Sequence, residues 1–599
     1  MSKVKGMNIK MMKVNEFMTE KKKNIYILGF FFIVVFFLRI FYITRVKGPF
    51  VYADEMGYWG HAANLSGNTW SGVMNGMPWY AYGYSLLLVP IFYITTDIVS
   101  MYRIAIVLNA LLGILSFGLV YKIIRKMKID SINVTEAAVI AFTVTSFSSY
   151  IFCSYIAWSE TLLSCLIWLI LYEIILLEES PKYWRGVLLG TVVGYGYMVH
   201  NRMLAVVAAV LLTLIYLLCI KKIKTQHLLC VIGAIAVIFF IDSVMKNVLS
   251  DLLGNNAVLR EMNINAGFQK ANSLSEQILK FGELLTLDGF KKFMLNAAGQ
   301  IWQMLSATYL LAGLGFVFCI GKMCEAIKKK DNISLYLFPM MAVFFTILMT
   351  SLFFIDTSYD IKSDKVRIDT LFYGRYNDIL VGMLILMALL CLFTHMQMKI
   401  YSRYILAICC VYLAFSFIMY YNLKGIENSY LNLVSAASIY IFHWLGEFSV
   451  WKCVLIVLLA NVVCLLCYFI KMPKQIRCYL ISFLFVFLFS TTALKCMRLS
   501  IRGENDYTQQ YTEIFDYLNE NTEAEESVFT LADGKFAYDL QTRLVNKPVI
   551  SIDIDQMNFV NNSQYIVMSE QDYSNFANPE YVKCLQTKGY VIIQKSEDY

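Results

Sequence analysis

Two adjacent carboxylates, Asp54 and Glu55, follow the first long apolar run of this chain in the stretch Tyr52-Ala53-Asp54-Glu55-Met56-Gly57-Tyr58. A carboxylate at such a place can act as a general base on a hydroxyl group if it is held within hydrogen-bond reach of the proton it removes. Tyr58 and His61 follow Asp54 at helical spacing, so a helix that starts at the pair presents Asp54, Tyr58 and His61 along one face. Glu55 then points elsewhere, toward Trp59. The same pattern also suits a plainer arrangement, in which Asp54 caps an amphipathic interfacial helix and Trp59 and Trp70 anchor it among headgroups.

A further acid, Glu160, lies in Ala157-Trp158-Ser159-Glu160-Thr161, at the turn between two apolar runs and at the membrane depth expected for Asp54. Asp54 and Glu160 are the pair that could share a divalent cation or orient an acceptor hydroxyl. Glu160 equally suits the dipole at a helix start. Cationic residues are expected on the same side: Arg202 in His200-Asn201-Arg202, then Lys362, Lys365 and Arg367 in one loop, and Arg375 in Tyr373-Gly374-Arg375-Tyr376. Arg202, Lys365, Arg367 and Arg375 are candidate phosphate ligands. Arg375 is the sharpest, because a guanidinium at headgroup depth can grip a lipid phosphate with two N–H groups; the alternative is a snorkelling anchor.

The rest of the chain has to hold these groups at a membrane surface. Its 599 residues are 58% hydrophobic and only 16% charged, against about 25% charged in soluble domains. The net charge of +8 comes from short Lys/Arg clusters between apolar runs, where it sets topology, so no nucleic-acid partner is read from it. Nearly all of the 15 cysteines lie in or beside apolar segments, where a thiol acts as a small apolar side chain. Cys584 stands alone in the polar tail, and no zinc-type spacing appears.

Apolar stretches of about 20 residues mark thirteen expected spans: 24–45, 101–121, 134–153, 157–177, 184–200, 203–220, 227–248, 297–321, 333–355, 377–396, 403–421, 451–470 and 478–496. Residues 84–94 and 430–444 read as interfacial or re-entrant segments. Counting the first as a span would place every later basic cluster outside. The expected organisation is a basic cytoplasmic N-terminus (1–23), a transmembrane domain (24–497) whose outer loop 46–100 carries the acidic pair, and an extracytoplasmic α/β domain (498–599). In that last domain, residues 528–531, 548–551, 565–568 and 590–593 read as strands, and 511–518 and 581–587 as helical.

Taken in order and sidedness, the Asp-Glu pair with a tyrosine four residues after the Asp, the acid before Thr161-Leu162-Leu163, the Gly374-Arg375-Tyr376 patch, the thirteen spans and the C-terminal α/β domain together resemble the GT-C membrane glycosyltransferases. Within that group the bacterial aminoarabinose transferases and protein O-mannosyltransferases are similar. The resemblance implies an α-helical polytopic fold and transfer of a sugar, with inversion, from a polyprenyl-phosphate-linked donor to an acceptor lipid, polymer or protein at the outer face. It makes Asp54 the catalytic acid residue, which acts as base on the acceptor, with Glu55 and Glu160 as accompanying acids and Arg375 near the donor. Some relatives use a divalent cation and others do not; Asp54, Glu55, Glu160 and His61 could supply its ligands, and Glu160, Tyr58 and His61 are the candidates for the acceptor or metal site. The chain departs from the family where relatives carry Pro-Pro in the first outer loop, and where Asn377-Asp378 replaces an apolar run with proline. Two other classes remain: a transporter or flippase of lipid-linked sugars, which calls for ionisable groups near the bilayer midplane, and a non-enzymatic envelope scaffold.

Overall fold

The computed structural model describes residues 22–596 except 23, 128, 130, 255–258, 261–266, 269–279, 330–332, 356–367, 395–397, 425–437, 440–448, 471, 524–525, 532–533, 561–563, 577 and 588. The expected segment 430–444 therefore lies outside the described residues except for Ser438 and Ile439. Ten helices among the described residues are long and apolar enough to cross a membrane, and a bent pair makes an eleventh when its halves count as one span. The chain is a multi-pass membrane protein.

The expected count of thirteen is not reached, for three local reasons. The stretch 134–153 is two helices, Val134–Thr145 and Ser148–Cys153, because the run Thr143 to Ser149 is rich in hydroxyls that compete for the backbone. The Thr145 hydroxyl donates to Ala141 O, and the carbonyl of Thr145 accepts from the buried Arg39 guanidinium at 2.6 Å. A cation from the first span thus caps the broken helix end. The helix Tyr183–Val199 has only 17 residues. The expected span 297–321 is a broken pair, Leu287–Ala307 and Leu311–Lys329, meeting at 103°. Tyr309 and Leu310 take φ of 51° and 69° at the break, left-handed backbone that costs non-glycine residues roughly 1–2 kcal/mol each. Asn461 secures it by donating to the Tyr309 carbonyl at 3.1 Å.

Helix contacts in a membrane depend on close approach, since lipid removes the hydrophobic drive between helices. Gly186, Gly190 and Gly194 form such a stripe on Tyr183–Val199, and it faces the helix Thr225–Gly254. A Cβ on Gly190 would lie 2.4 Å from the Val231 carbonyl oxygen. The segment 84–94 is the eight-residue helix Ser85–Phe92, too short to span, as its length in the sequence requires.

The last membrane helix, Lys474–Gln509, runs beyond its expected end and leads into a five-stranded sheet. The strands β1 (Val528–Thr530), β2 (Val549–Ser551), β3 (Tyr565–Ser569), β4 (Tyr581–Thr587) and β5 (Tyr590–Lys595) lie in the order β2-β1-β3-β5-β4. β1 is parallel to β2 and β3, while β5 pairs antiparallel with β3 and β4. Residues 581–587, read as helical from the sequence, are therefore a strand. The reason is the turn after them: Gly589 adopts φ +100°, which closes a hairpin and gives Val582 and Thr587 partners on β5. The helix Thr512–Asn521 agrees with the expected pattern. The sheet is pinned to the first long loop: the Trp70 indole donates to Val545 O at 2.9 Å, and Gly72 sits where a Cβ would be 2.3 Å from Val549 O.

Gly190→Val should lower the thermal unfolding temperature of the purified protein by several degrees, in line with the roughly 1–3 kcal/mol cost of overpacking. Gly233→Val, on a surface with no neighbour within 4 Å, should leave it unchanged.

Candidate functional site

The acidic pair opens the helix Ala53–Leu65, and the two side chains diverge. The chain enters this helix through Val51, held at φ 53°, a conformation rare for a β-branched residue and found mainly where the surroundings enforce it. Glu55 supplies part of that enforcement. Its carboxyl is fully buried and accepts from Phe50 N–H at 3.0 Å, from the Tyr102 hydroxyl and from Ala157 N–H at 3.2 Å. Burial outweighs these donors and pushes the Glu55 carboxyl up to about 8. Glu55 therefore ties the turn before the helix to two other segments and faces away from the open space that Asp54 reaches.

Asp54 is 27% exposed and meets the Arg375 Nη1 at 2.6 Å. Arg375 also places Nε 2.6 Å from Glu160 Oε1, and Arg202 Nη2 reaches that same oxygen at 2.8 Å. Four charged groups from widely separated parts of the sequence thus meet in one chain, Asp54–Arg375–Glu160–Arg202. Glu160 is 2% exposed, and a buried carboxylate at that depth needs such partners. Aromatic rings complete the cluster: the Arg375 guanidinium carbon lies 4.0 Å from the Trp158 ring centroid and that of Arg202 4.9 Å from Tyr376. Tyr58 donates to Ser159 Oγ at 2.9 Å, so the residue one turn after Asp54 fixes the turn that carries Glu160.

Beside this chain is an open-mouthed cavity of about 890 Å³, its mouth included, walled by Asp54, Tyr58, Tyr80, Arg202 and Tyr376 among others. Arg202 is part of the wall and Arg375 lies behind it. The geometry thus divides two roles that looked alike in the sequence. Arg375 holds Asp54 and Glu160 in place, whereas Arg202 bonds Glu160 alone and is a residue of the cavity wall; Arg202 Nε and Nη1 and Arg375 Nη2 are buried and unpartnered among the described residues. The Arg375 guanidinium also sits between Asp54 and Glu160, the two carboxylates that could hold a divalent cation, and supplies positive charge there. Among the described residues no group of three or more His, Cys, Asp or Glu is arranged to hold a metal ion.

His61 lies outside the charge chain. Burial lowers its imidazole to about 4, so the neutral ring donates Nε2–H to the Tyr80 carbonyl at 3.0 Å and backs a residue of the cavity wall. Lys365 and Arg367 fall outside the described residues. Trp158, Tyr376 and Tyr102 were not singled out from the sequence. The first two stand within the Ala157-Trp158-Ser159-Glu160 and Gly374-Arg375-Tyr376 patches, while nothing around Tyr102 marks it as the donor to Glu55. The Asn377-Asp378 departure is absorbed inside the bundle: Asn377 donates to Gln300 Oε1 at 2.7 Å, and Gln303 donates to Asp378 at 3.1 Å.

The whole-chain arrangement has a counterpart among solved structures. The crystal structure of ArnT from Cupriavidus metallidurans in the apo state superposes with a TM-score of 0.52 at 12% identity, covering 96% of this chain and 98% of that one. The chain has the ArnT fold. The undecaprenyl phosphate-bound form of the same ArnT superposes with a TM-score of 0.49 at 10% identity over the same shares of the two chains. No protein-family model matches the sequence, and neither does any curated relative. The ArnT fold is thus reached from a sequence with little residue identity.

Because the folded protein holds Glu55 protonated up to about pH 8 while an unfolded chain releases that proton near pH 4–5, the folded state binds the extra proton between those values. Stability should therefore fall as pH rises from about 5 to 8. Glu55→Gln should flatten that slope in thermal-unfolding measurements across the range, and Glu55→Ala, which removes the acceptor shared by three buried donors, should lower the unfolding temperature at every pH.

Proposed function

We propose that this protein transfers a sugar from a polyprenyl-phosphate-linked donor to an acceptor hydroxyl at the outer face of a cell membrane. The observation that carries the proposal is the placement of a carboxylate, Asp54, and a guanidinium with free donors, Arg202, in the wall of one cavity. The ArnT fold supports a reaction of this class. The short basic connections between spans support a cytoplasmic N-terminus, with the cavity and the C-terminal sheet on the opposite side.

In the proposed reaction the acceptor oxygen attacks the anomeric carbon and its proton passes to Asp54. The bond from that carbon to the phosphate oxygen breaks, and the lipid phosphate leaves with the bonding pair. Attack opposite the leaving group inverts the carbon. Arg202 stabilises the charge that grows on the phosphate as the bond breaks, the point at which a preorganised cation acts on the transition state. Arg375, itself anchored on Glu160, keeps Asp54 aimed by donating to it directly. The sugar phosphate is already activated, so the reaction calls for no nucleotide. The acceptor is a lipid, a polymer or a protein, and membrane lipid surrounds the whole assembly.

Asp54→Asn should keep the fold, judged by an unchanged unfolding temperature, and reduce transfer by about 10² to 10⁴, the usual contribution of a positioned general base. Mass spectrometry of envelope glycans, lipids and surface proteins from cells with the intact chain or the variant at equal abundance should show one sugar increment lost from a defined acceptor. An unchanged profile would reject the assignment of Asp54.

A further inference from the structure

Three residues of the cavity wall lie beside the charge chain and take no part in it. His200 and Asn201 immediately precede Arg202 on one short turn, Asn201–Met203 being a single 3₁₀ turn, and Thr346 comes from the helix Ser334–Phe353. His200 Nδ1 accepts the Arg202 N–H at 3.2 Å. Burial and the adjacent Arg202 hold that imidazole well below its ordinary value, so the ring is neutral. A neutral ring that accepts at Nδ1 carries its proton on Nε2, which makes the free nitrogen a donor.

The other two residues carry buried polar atoms that have no partner among the described residues. Asn201 Oδ1 and Thr346 Oγ1 are both buried and lack a partner among the described residues, and so does Nε1 of Trp79, a further wall residue. Buried polar atoms are nearly always satisfied, so several unsatisfied ones around a single cavity point to a ligand that supplies the missing bonds. The set is mixed, with an amide oxygen as acceptor, an indole N–H as donor, a hydroxyl that does both and an imidazole N–H donor. It has no net charge, and the aromatic residues Trp79, Tyr80 and Tyr376 line the same cavity. A neutral polyhydroxylated ring has this chemistry, because its hydroxyls both donate and accept and its C–H faces pack on aromatic rings.

We infer that His200, Asn201, Thr346 and Trp79 form the subsite for the sugar ring of the lipid-linked donor, and that this sugar is a neutral one. The inference rests on the proposed transfer reaction. All four residues share the cavity wall with Arg202, the proposed phosphate ligand, so a sugar bonded to that phosphate would lie within the same cavity.

The test compares two lipids on the purified full-length protein in nanodiscs: bare undecaprenyl phosphate, and undecaprenyl phosphate carrying glucose, mannose or galactose. Thr346→Val, which keeps the shape and removes the hydroxyl, and Asn201→Ala should each weaken binding of at least one glycosylated lipid by about three- to tenfold, the value of one lost hydrogen bond. Binding of the bare lipid should change by less than twofold, with unfolding temperatures unaltered. Equal weakening for both lipids, or no change with any sugar while the unaltered protein binds the bare lipid, would overturn the subsite and leave the lipid-phosphate reading standing. Failure of the unaltered protein to bind either lipid would overturn both.

Discussion

The structure around the site depends on one buried carboxylate. Glu160 is almost completely removed from solvent, at the first turn of a membrane helix, and its charge is tolerable only because two guanidiniums share one of its oxygens. Breaking such a pair leaves an uncompensated buried ion, which costs roughly 3–5 kcal/mol. The demand runs both ways. Arg375 and Arg202 must be delivered to the same point from segments remote in sequence, and the packing of those segments fixes where Arg202 and the carboxylate of Asp54 can be. The Asp54–Arg375–Glu160–Arg202 chain thus sets the geometry of the cavity wall.

Several features of the bundle follow from holding that chain in place. The turn before Asp54 is strained at Val51 and clasped by Glu55, so the two acids of the pair divide their work: one is exposed to the cavity and the other is buried as a fastener. Helices that would be uniform in a simpler bundle are broken near Ser146 and near Tyr309, and each break has a polar side chain from another span at the freed backbone, Arg39 in the first case and Asn461 in the second. These are the places where a membrane protein admits irregular backbone, because protein groups stand in for the absent water. The C-terminal sheet rests on the same loop that carries the acidic pair, through Trp70 and Gly72, which ties the only extensive β structure among the described residues to the site.

The legibility of these features varied with their physical range. Span length is set by bilayer thickness and alternation by strand geometry, so most helices and four of the five strands could be read locally. Residues 581–587 could not. Their identity as a strand depends on pairing with β5, and a short run such as Val582 to Thr587 fits either structure until the hairpin closes. The breaks within 134–153 and 297–321 were hidden for a similar reason: hydropathy measures how apolar a segment is and not whether its backbone stays straight. Arg39 and Asp378 show the same limit from the other side, because an ionisable residue inside a span reveals nothing of its partner until the neighbouring helix is in place.

By itself the sequence determined that the chain enters a membrane many times, that a small strand-rich domain follows the last span, and that acids and bases gather at the ends of spans, since hydrophobicity and charge are properties of residues and short windows. Tertiary structure decided which of those charges meet. Asp54 and Glu55 are adjacent in the chain and alike in chemistry, yet helix geometry sends one to the cavity and the other into a hydrogen-bonded interior. Arg375 and Arg202 are both candidate phosphate ligands in the sequence, yet packing commits Arg375 to two carboxylates and places Arg202, which bonds only Glu160, in the wall of the cavity. A side chain's role depends on what lies within about 3 Å of it, and for residues separated by hundreds of positions only the folded chain sets that distance.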